Sequence, residues 1–189
     1  MKLCIDTISF HSTVCLVDEN SSILDRVVWM AKWNESSTLI PKIDELLKKQ
    51  DKTYTDLSHI IIIRWPGSFT GVRTSVLVAN TLAYSLWIQI TGLSFFDLFE
   101  SYPIIKASSR RDCFIQKSSE SEIEILTNDT IQEYVASSGI QQLYGEKIDI
   151  FGDTVSVFDK IDYESILQRI SFDRLDRVEP LYIKRPNIS

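Results

Sequence analysis

The sequence predicts an α/β protein, and three observations predict it. Three short strand-like runs open the chain in succession. A continuous apolar run, Ile60 to Ile63, follows later and reads as a strand buried on both faces. That run feeds the stretch Arg64 to Arg73, RWPGSFTGVR, which reads as a tight turn opening into a long amphipathic segment that ends at Trp87.

The first strands are expected at Leu3 to Thr7, Val14 to Val17 and Ile23 to Met30. Asn20, Ser21 and Ser22 supply the turn between the second and third. A first helix is expected from about Ser37 to Gln50, because Leu39, Ile43 and Leu46 recur on one face with Leu47 beside them. Pro41 is expected in its first turn, where a missing N–H costs nothing. Leu57 to Ile63 is the fourth strand. In the turn after it, Pro66 fixes φ near −65° and Gly67 tolerates φ > 0. Ser68 and Thr70 are both natural helix caps. On the second helix, Val72, Val76, Ala79, Ala83 and Leu86 form a core stripe. A second stripe, Arg73, Leu77, Asn80 and Tyr84, mixes apolar and polar groups, as either a partner surface or a partly exposed flank does. Ile88 to Thr91 is a fifth strand, followed by a short apolar helix or turn at Phe95 to Phe99. A strand meander followed by this alternation suits a ribonuclease-H-like or actin-like fold.

Near residue 100 the texture changes. Short strands are expected at Pro103 to Lys106, Asp112 to Gln116, Ile123 to Leu126, Ile140 to Tyr144 and Ile148 to Phe151. Helices are expected at Asn128 to Ser137, capped by Thr127 or Asn128, and at Asp162 to Ile170. Gly152-Asp153 reads as a turn and Pro180 to Pro186 as an extended tail. These patterns divide the chain into lobes 1–101 and 102–189, with no internal repeat visible in the sequence.

Composition narrows the function classes. The 189 residues are 44% hydrophobic and 24% charged, as in an ordinary globular protein. The longest aliphatic run, four residues, is far below the roughly 20 that cross a bilayer. The opening MKLCIDTISF reads as a strand and not as a signal peptide. Cys4, Cys15 and Cys113 are odd in number and lack metal or redox spacing, which points to buried thiols and a cytoplasmic setting. Net charge is −6, and the pairs Lys48-Lys49 and Arg110-Arg111 make no phosphate-binding cluster. Tight RNA binding by this chain alone is not expected.

Little in the sequence suggests catalysis. The two histidines, His11 and His59, have no ligand partner at metal spacing. Phosphate-binding hairpins need glycines whose backbone N–H groups stay exposed. The six glycines lie at 67, 71, 92, 139, 145 and 152, none of them in the first hairpin. Asp6 ends the first strand, where an actin-like enzyme would place a metal-binding carboxylate. Thr-Ile-Ser-Phe-His follows it, so Asp6 is expected to organise its own loop.

Pro66, Gly67, Ser68, Phe69, Thr70, Gly71 and Val72, followed by Arg73, closely resemble the P-G-S-F-T-G-[LV]-R signature of the bacterial TsaB (YeaZ) family. That family serves in making threonylcarbamoyladenosine (t6A) on transfer RNA. The resemblance extends over most of the first hundred residues: Leu3 to Thr7 (LCIDT), Ser36 to Leu47, Tyr54 to Ser58, Leu82-Ala83-Tyr84 and Gly92-Leu93-Ser94. Pro180 to Lys184 resembles a P-x-Y-x-R ending. The chain departs from the pattern at Glu35-Ser36-Ser37, where the family has His-Ser-Glu, and at Trp65, where it has a small residue. The D-A-R-like stretch has become Ala107-Ser108-Ser109-Arg110, and the second half is short.

The resemblance implies an actin-like ATPase (ASKHA) fold of two lobes, the second reduced. It implies a catalytically inactive subunit that supports a TsaD-type threonylcarbamoyl transferase, with a TsaE-type ATPase as further partner. ATP and metal are then expected on the partner subunits and none tightly on this chain, and transfer RNA is met only through the complex. The pairing surface carried over from the family is Ser36, Ile40 and Leu47 on the first helix with Arg73, Leu77, Asn80 and Tyr84 on the second. A homodimer through the same helices is a further expectation. The alternative is an actin-like transferase or peptidase in its own right, with Asp6 binding metal.

Overall fold

The computed structural model describes residues 1–30, 35–67, 69–148, 155–171 and 175–180, and at 35, 36, 69 and 70 the backbone only. Two compact units emerge. The first comprises Met1–Phe95 with Tyr163–Ser189, the second Phe96–Asp162. This departs from the expected division into 1–101 and 102–189. The last helix returns to the first unit because Tyr163, Ile166 and Leu167 are buried there, a pairing no local signal encodes.

In the first unit, β1 (Lys2–Asp6), β2 (Ser12–Val17) and β3 (Ile23–Trp29) form the expected antiparallel meander. Helix α1 (Glu35–Lys49) leads to β4 (His59–Trp65), and α2 (Phe69–Leu86) leads to β5 (Gln89–Ser94). β4 lies parallel to both β1 and β5, giving the order β3-β2-β1-β4-β5. Ile60, Ile61, Ile62 and Ile63 are all fully buried, as a central parallel strand requires. Leu39, Ile43, Leu46 and Leu47 of α1 and Val72, Val76, Ala79 and Ala83 of α2 are buried too. Each such side chain contributes roughly 1.5–3 kcal/mol if large and less if alanine.

Two local expectations change. Pro41 lies inside α1 and not in its first turn, because the helix begins two residues earlier, at Glu35. Pro41 has no N–H for the carbonyl four residues back, a cost of about 3 kcal/mol set against the buried apolar face. Helix α2 begins at Phe69, so Thr70 sits in its first turn and not at its cap. Ser68 lies outside the described residues.

The second unit repeats the first in topology. β6 (Ile104–Ala107), β7 (Asp112–Gln116) and β8 (Glu124–Thr127) form a second meander. Helix α3 (Asn128–Ser137) then leads to β9 (Gln142–Gly145) and β10 (Ser156–Phe158). The order β10-β9-β6-β7-β8 and the strand directions reproduce those of the first sheet. The connection between the last two strands is shorter in this unit. Between β4 and β5 the chain inserts the 18-residue α2, whereas only residues 146–155 separate β9 from β10. The strands are also short, and β10 was not expected. The expected strand at Ile148 to Phe151, the Gly152-Asp153 turn and the tail beyond Pro180 lie largely outside the described residues.

Ile105, Cys113, Ile115, Ile131, Val135, Leu143 and Val155 make the second unit's core. Thr127 is the cap of α3, its Oγ1 accepting the Thr130 N–H at 3.2 Å. Gly145 has φ +113°, and a Cβ there would sit 2.1 Å from the Ile105 carbonyl oxygen, so this close approach of β9 to its parallel neighbour β6 requires glycine.

Candidate functional site

Two features of the first unit bear on function: the turn at Asp6 and the outer face of α2. Asp6 ends β1 and is fully buried. Its Oδ1 accepts the Ile8 and Ser9 N–H groups at 2.9 and 3.0 Å. Its Oδ2 accepts the Ser9 hydroxyl at 2.5 Å and the Tyr163 hydroxyl at 2.6 Å. Burial first, and the nearby Asp6 carboxyl second, push the Tyr163 phenol well above its usual range. Asp6 therefore organises its loop, and Tyr163 of α4 (Tyr163–Arg169) closes over it from 157 residues away.

The loop that Asp6 shapes also supports the signature turn. A Cβ on Gly67 would lie 2.6 Å from Ile8 Cγ2 and 2.9 Å from Val72 Cγ2. Gly67 is needed for this approach, and its φ lies outside the left-handed region. Pro66 follows the buried Trp65 through a cis peptide bond, and Gly71 is buried in the first turns of α2. Phe69 and Thr70 are placed by backbone at the start of α2. Of the described signature residues, Pro66, Gly71 and Val72 are buried, where they join α2 to the β1 loop, while Gly67 and Arg73 are exposed.

No three His, Cys, Asp or Glu side chains converge as a metal site among the described residues. His59 Nε2 lies 2.8 Å from Thr91 Oγ1, and the exposed His11 ring stands edge-on to Phe10. The three cysteines are free and buried, with Cys4 directly opposite Cys15 across β1 and β2. Burial raises all three thiols, Cys15 to about 12 and Cys113 to about 11, so they are protonated at neutral pH. No helix among the described residues is long and apolar enough to cross a membrane.

The outer face of α2 is apolar and nearly uncharged. Arg73 is the only charged residue in the helix. Leu77 is 68% exposed, Tyr84 74% and Trp87, which directly follows the helix, 88%. The Tyr84 and Trp87 rings lie 5.9 Å apart. Trp87 has φ +56°, and the Ile88 N–H closes onto the Ala83 carbonyl at 3.0 Å. That is a Schellman ending with tryptophan in the position glycine favours, at a cost of about 1–2 kcal/mol. On α1, Ile40 is 37% exposed.

Two expected surface residues are not available there. Leu47 is buried in the core, so it does not face a partner. Asn80 is half-buried and spends its side-chain amide internally. Its Nδ2 donates to the Val178 carbonyl at 2.8 Å, and its Oδ1 accepts the Val178 N–H at 2.9 Å. Ser36 has no described side chain. Asn80 is one of three clamps on the segment Leu175–Pro180. Ile90 of β5 exchanges backbone hydrogen bonds with Leu175, and Arg64 Nη1 donates to the Glu179 carbonyl at 3.0 Å. Gly92 makes room for this strap, since a Cβ there would meet Arg64 Cδ at 2.7 Å and Val178 Cγ1 at 3.0 Å.

Sequence reasoning missed Tyr163, the strap and Trp87. The first two arise from pairings across about half the chain or more. Trp87 carried a readable signal, an aromatic where a helix ends without glycine.

The family described as "TsaD: tRNA N6-adenosine threonylcarbamoyltransferase" matches residues 30–99, the stretch holding α1, β4, α2 and β5. The chain is 38% identical over 92 residues to the tRNA threonylcarbamoyladenosine biosynthesis protein TsaB of Bacillus subtilis. That match covers 49% of this chain and 40% of the relative. It is 30% identical over 92 residues to TsaB of Buchnera aphidicola subsp. Schizaphis graminum, covering 49% and 43%. The matched stretch thus spans less than half of either relative. Among solved structures, YeaZ from Pseudomonas aeruginosa aligns with TM-score 0.65 at 16% identity, over 88% of both chains. A Pseudomonas aeruginosa protein with similarity to the peptidase YeaZ aligns with TM-score 0.72 at 16% identity, over 97% of this chain and 99% of that one. At that identity the structural likeness speaks for the two-lobed ASKHA-like fold.

Proposed function

From the chain's membership, through its first hundred residues, of the TsaB (YeaZ) family of tRNA threonylcarbamoyladenosine biosynthesis proteins, we propose that it is a non-catalytic subunit of the t6A-modifying complex. It binds and activates a TsaD-type transferase, and a TsaE-type ATPase joins the assembly. ATP and metal belong to those partners, and transfer RNA is met through the complex.

The observation that carries this reading is the outer face of α2. Leu77 and Tyr84 stand exposed on a helix with a single charged residue. Charge depletion with exposed aromatic residues marks the centre of a protein interface. The face is also a poor one for transfer RNA, which is gripped mainly through cations. Asp6 argues in the same direction. Both its oxygens are engaged by loop and Tyr163 donors, so taking up a metal would require breaking that network.

Leu77→Glu combined with Tyr84→Glu tests the reading. Both side chains are exposed, so the variant is expected to fold and melt like the parent. Complex formation with the transferase and t6A levels in cells lacking the native subunit are expected to fall at least tenfold. Unchanged binding and modification would refute this face as the pairing surface.

A further inference from the structure

We infer that Trp87 is the anchor of the partner interface, so that the contact centres on the C-terminal end of α2 and not on its middle. This rests on the reading above, with the transferase-type subunit as occupant.

The exposed side chains from Leu77 onward are Leu77, Thr81, Tyr84, Ser85 and Trp87, none of them charged. Arg73 lies 14 residues from Trp87, about 20 Å along the helix. A nucleic acid would need cations among these residues, and an interfacial membrane helix would carry them on its flanks. An uncharged, apolar protein surface meets neither requirement and fits the patch.

Aromatic side chains bury roughly 150–250 Å² each. Exposed to 74% and 88%, Tyr84 and Trp87 together with Leu77 offer on the order of 400–500 Å². That is about half of the ~800 Å² each partner gives to a stable interface. Patches of this size are often functional.

Trp87 holds a left-handed φ of +56° at the position where glycine would relieve the strain. The strain turns the indole outward beside Tyr84 without contributing to the core, since the side chain is 88% exposed. Asn80, in the middle of the helix, is committed to the strap, so the open surface is Leu77 on one side of it and the larger Tyr84–Trp87 pair at the C-terminal end. Fold stability and binding therefore make opposite demands on residue 87.

That opposition supplies the test. Trp87→Gly and Trp87→Asn both suit the left-handed conformation and remove the indole. Melting temperature and affinity for the transferase are measured on wild type and both variants. Melting at or above the wild-type temperature, with affinity reduced about 30-fold or more, is expected. If wild type binds the transferase and both variants bind within threefold of it, the anchor is refuted while the subunit reading stands. If wild type does not bind, the subunit reading itself fails. A self-dimer that the variants dissolve, with transferase affinity unchanged, would make a second copy the occupant and overturn the inference. Lower melting of both variants would refute the strain argument.

Discussion

Asp6 shows what a single buried carboxyl can organise. Four donors converge on it, two from backbone N–H groups and two from hydroxyls. Asp6→Ala would leave those donors without their acceptor, each at roughly 1–3 kcal/mol if it stays dry. We predict a loss of at least about 3 kcal/mol in urea unfolding, with Tyr163→Phe losing about 1–3 kcal/mol because only one bond disappears. The pH dependence has a defined sign. The Tyr163 phenol is raised in the folded state, so its contribution is complete below the unfolded tyrosine value of about 10. It is lost as pH rises above that value. Wild type should therefore lose stability more steeply than Tyr163→Phe above pH about 10. The buried cysteines are common to both proteins, so they cancel from the difference. Equal slopes would mean that the Tyr163 phenol is not raised in the folded state.

At the scale of elements, the readable features were those set by neighbours in sequence. The four-isoleucine strand and the α2 core stripe from Val72 to Ala83 follow from periodicity, and the structure buries them as read, with Leu86 only half-buried; of the two caps offered for α3 it selects Thr127. Pro41 was misplaced because the burial of Leu39, Ile43, Leu46 and Leu47 sustains a helix through an interior proline. Asn80 was assigned to a surface by its helical phase, and Leu47 by the family resemblance. Phase cannot say which flank α1 turns inward, nor that a strap 98 residues away needs the Asn80 amide. The strap closes beside β5, the edge strand of its sheet, at Ile90. Asn80→Ala removes two hydrogen bonds, and the account predicts a loss of about 1–3 kcal/mol. Hydrogen exchange at the Val178 and Leu175 amides should accelerate at least tenfold, while amides in β1 and β4 keep their protection. Unchanged exchange at both strap amides would show that Asn80 does not hold the segment.

At the scale of the whole molecule, the two units share one strand order with little sequence signature of the repeat. The sheet topology can recur because it depends on alternation and turn placement, which many sequences satisfy. What differs is the connection between the last two strands, an 18-residue helix in one unit and residues 146–155 in the other. The exposed α2 face is thus a property of the first unit, the same part of the chain that matches TsaB. The central claim is that this chain works by binding a transferase. Light scattering after size exclusion, on the chain alone and mixed with the transferase of its own organism, tests it most directly. The account predicts a new peak at the summed mass. Separate elution of the two proteins, with and without ATP and magnesium, would contradict it.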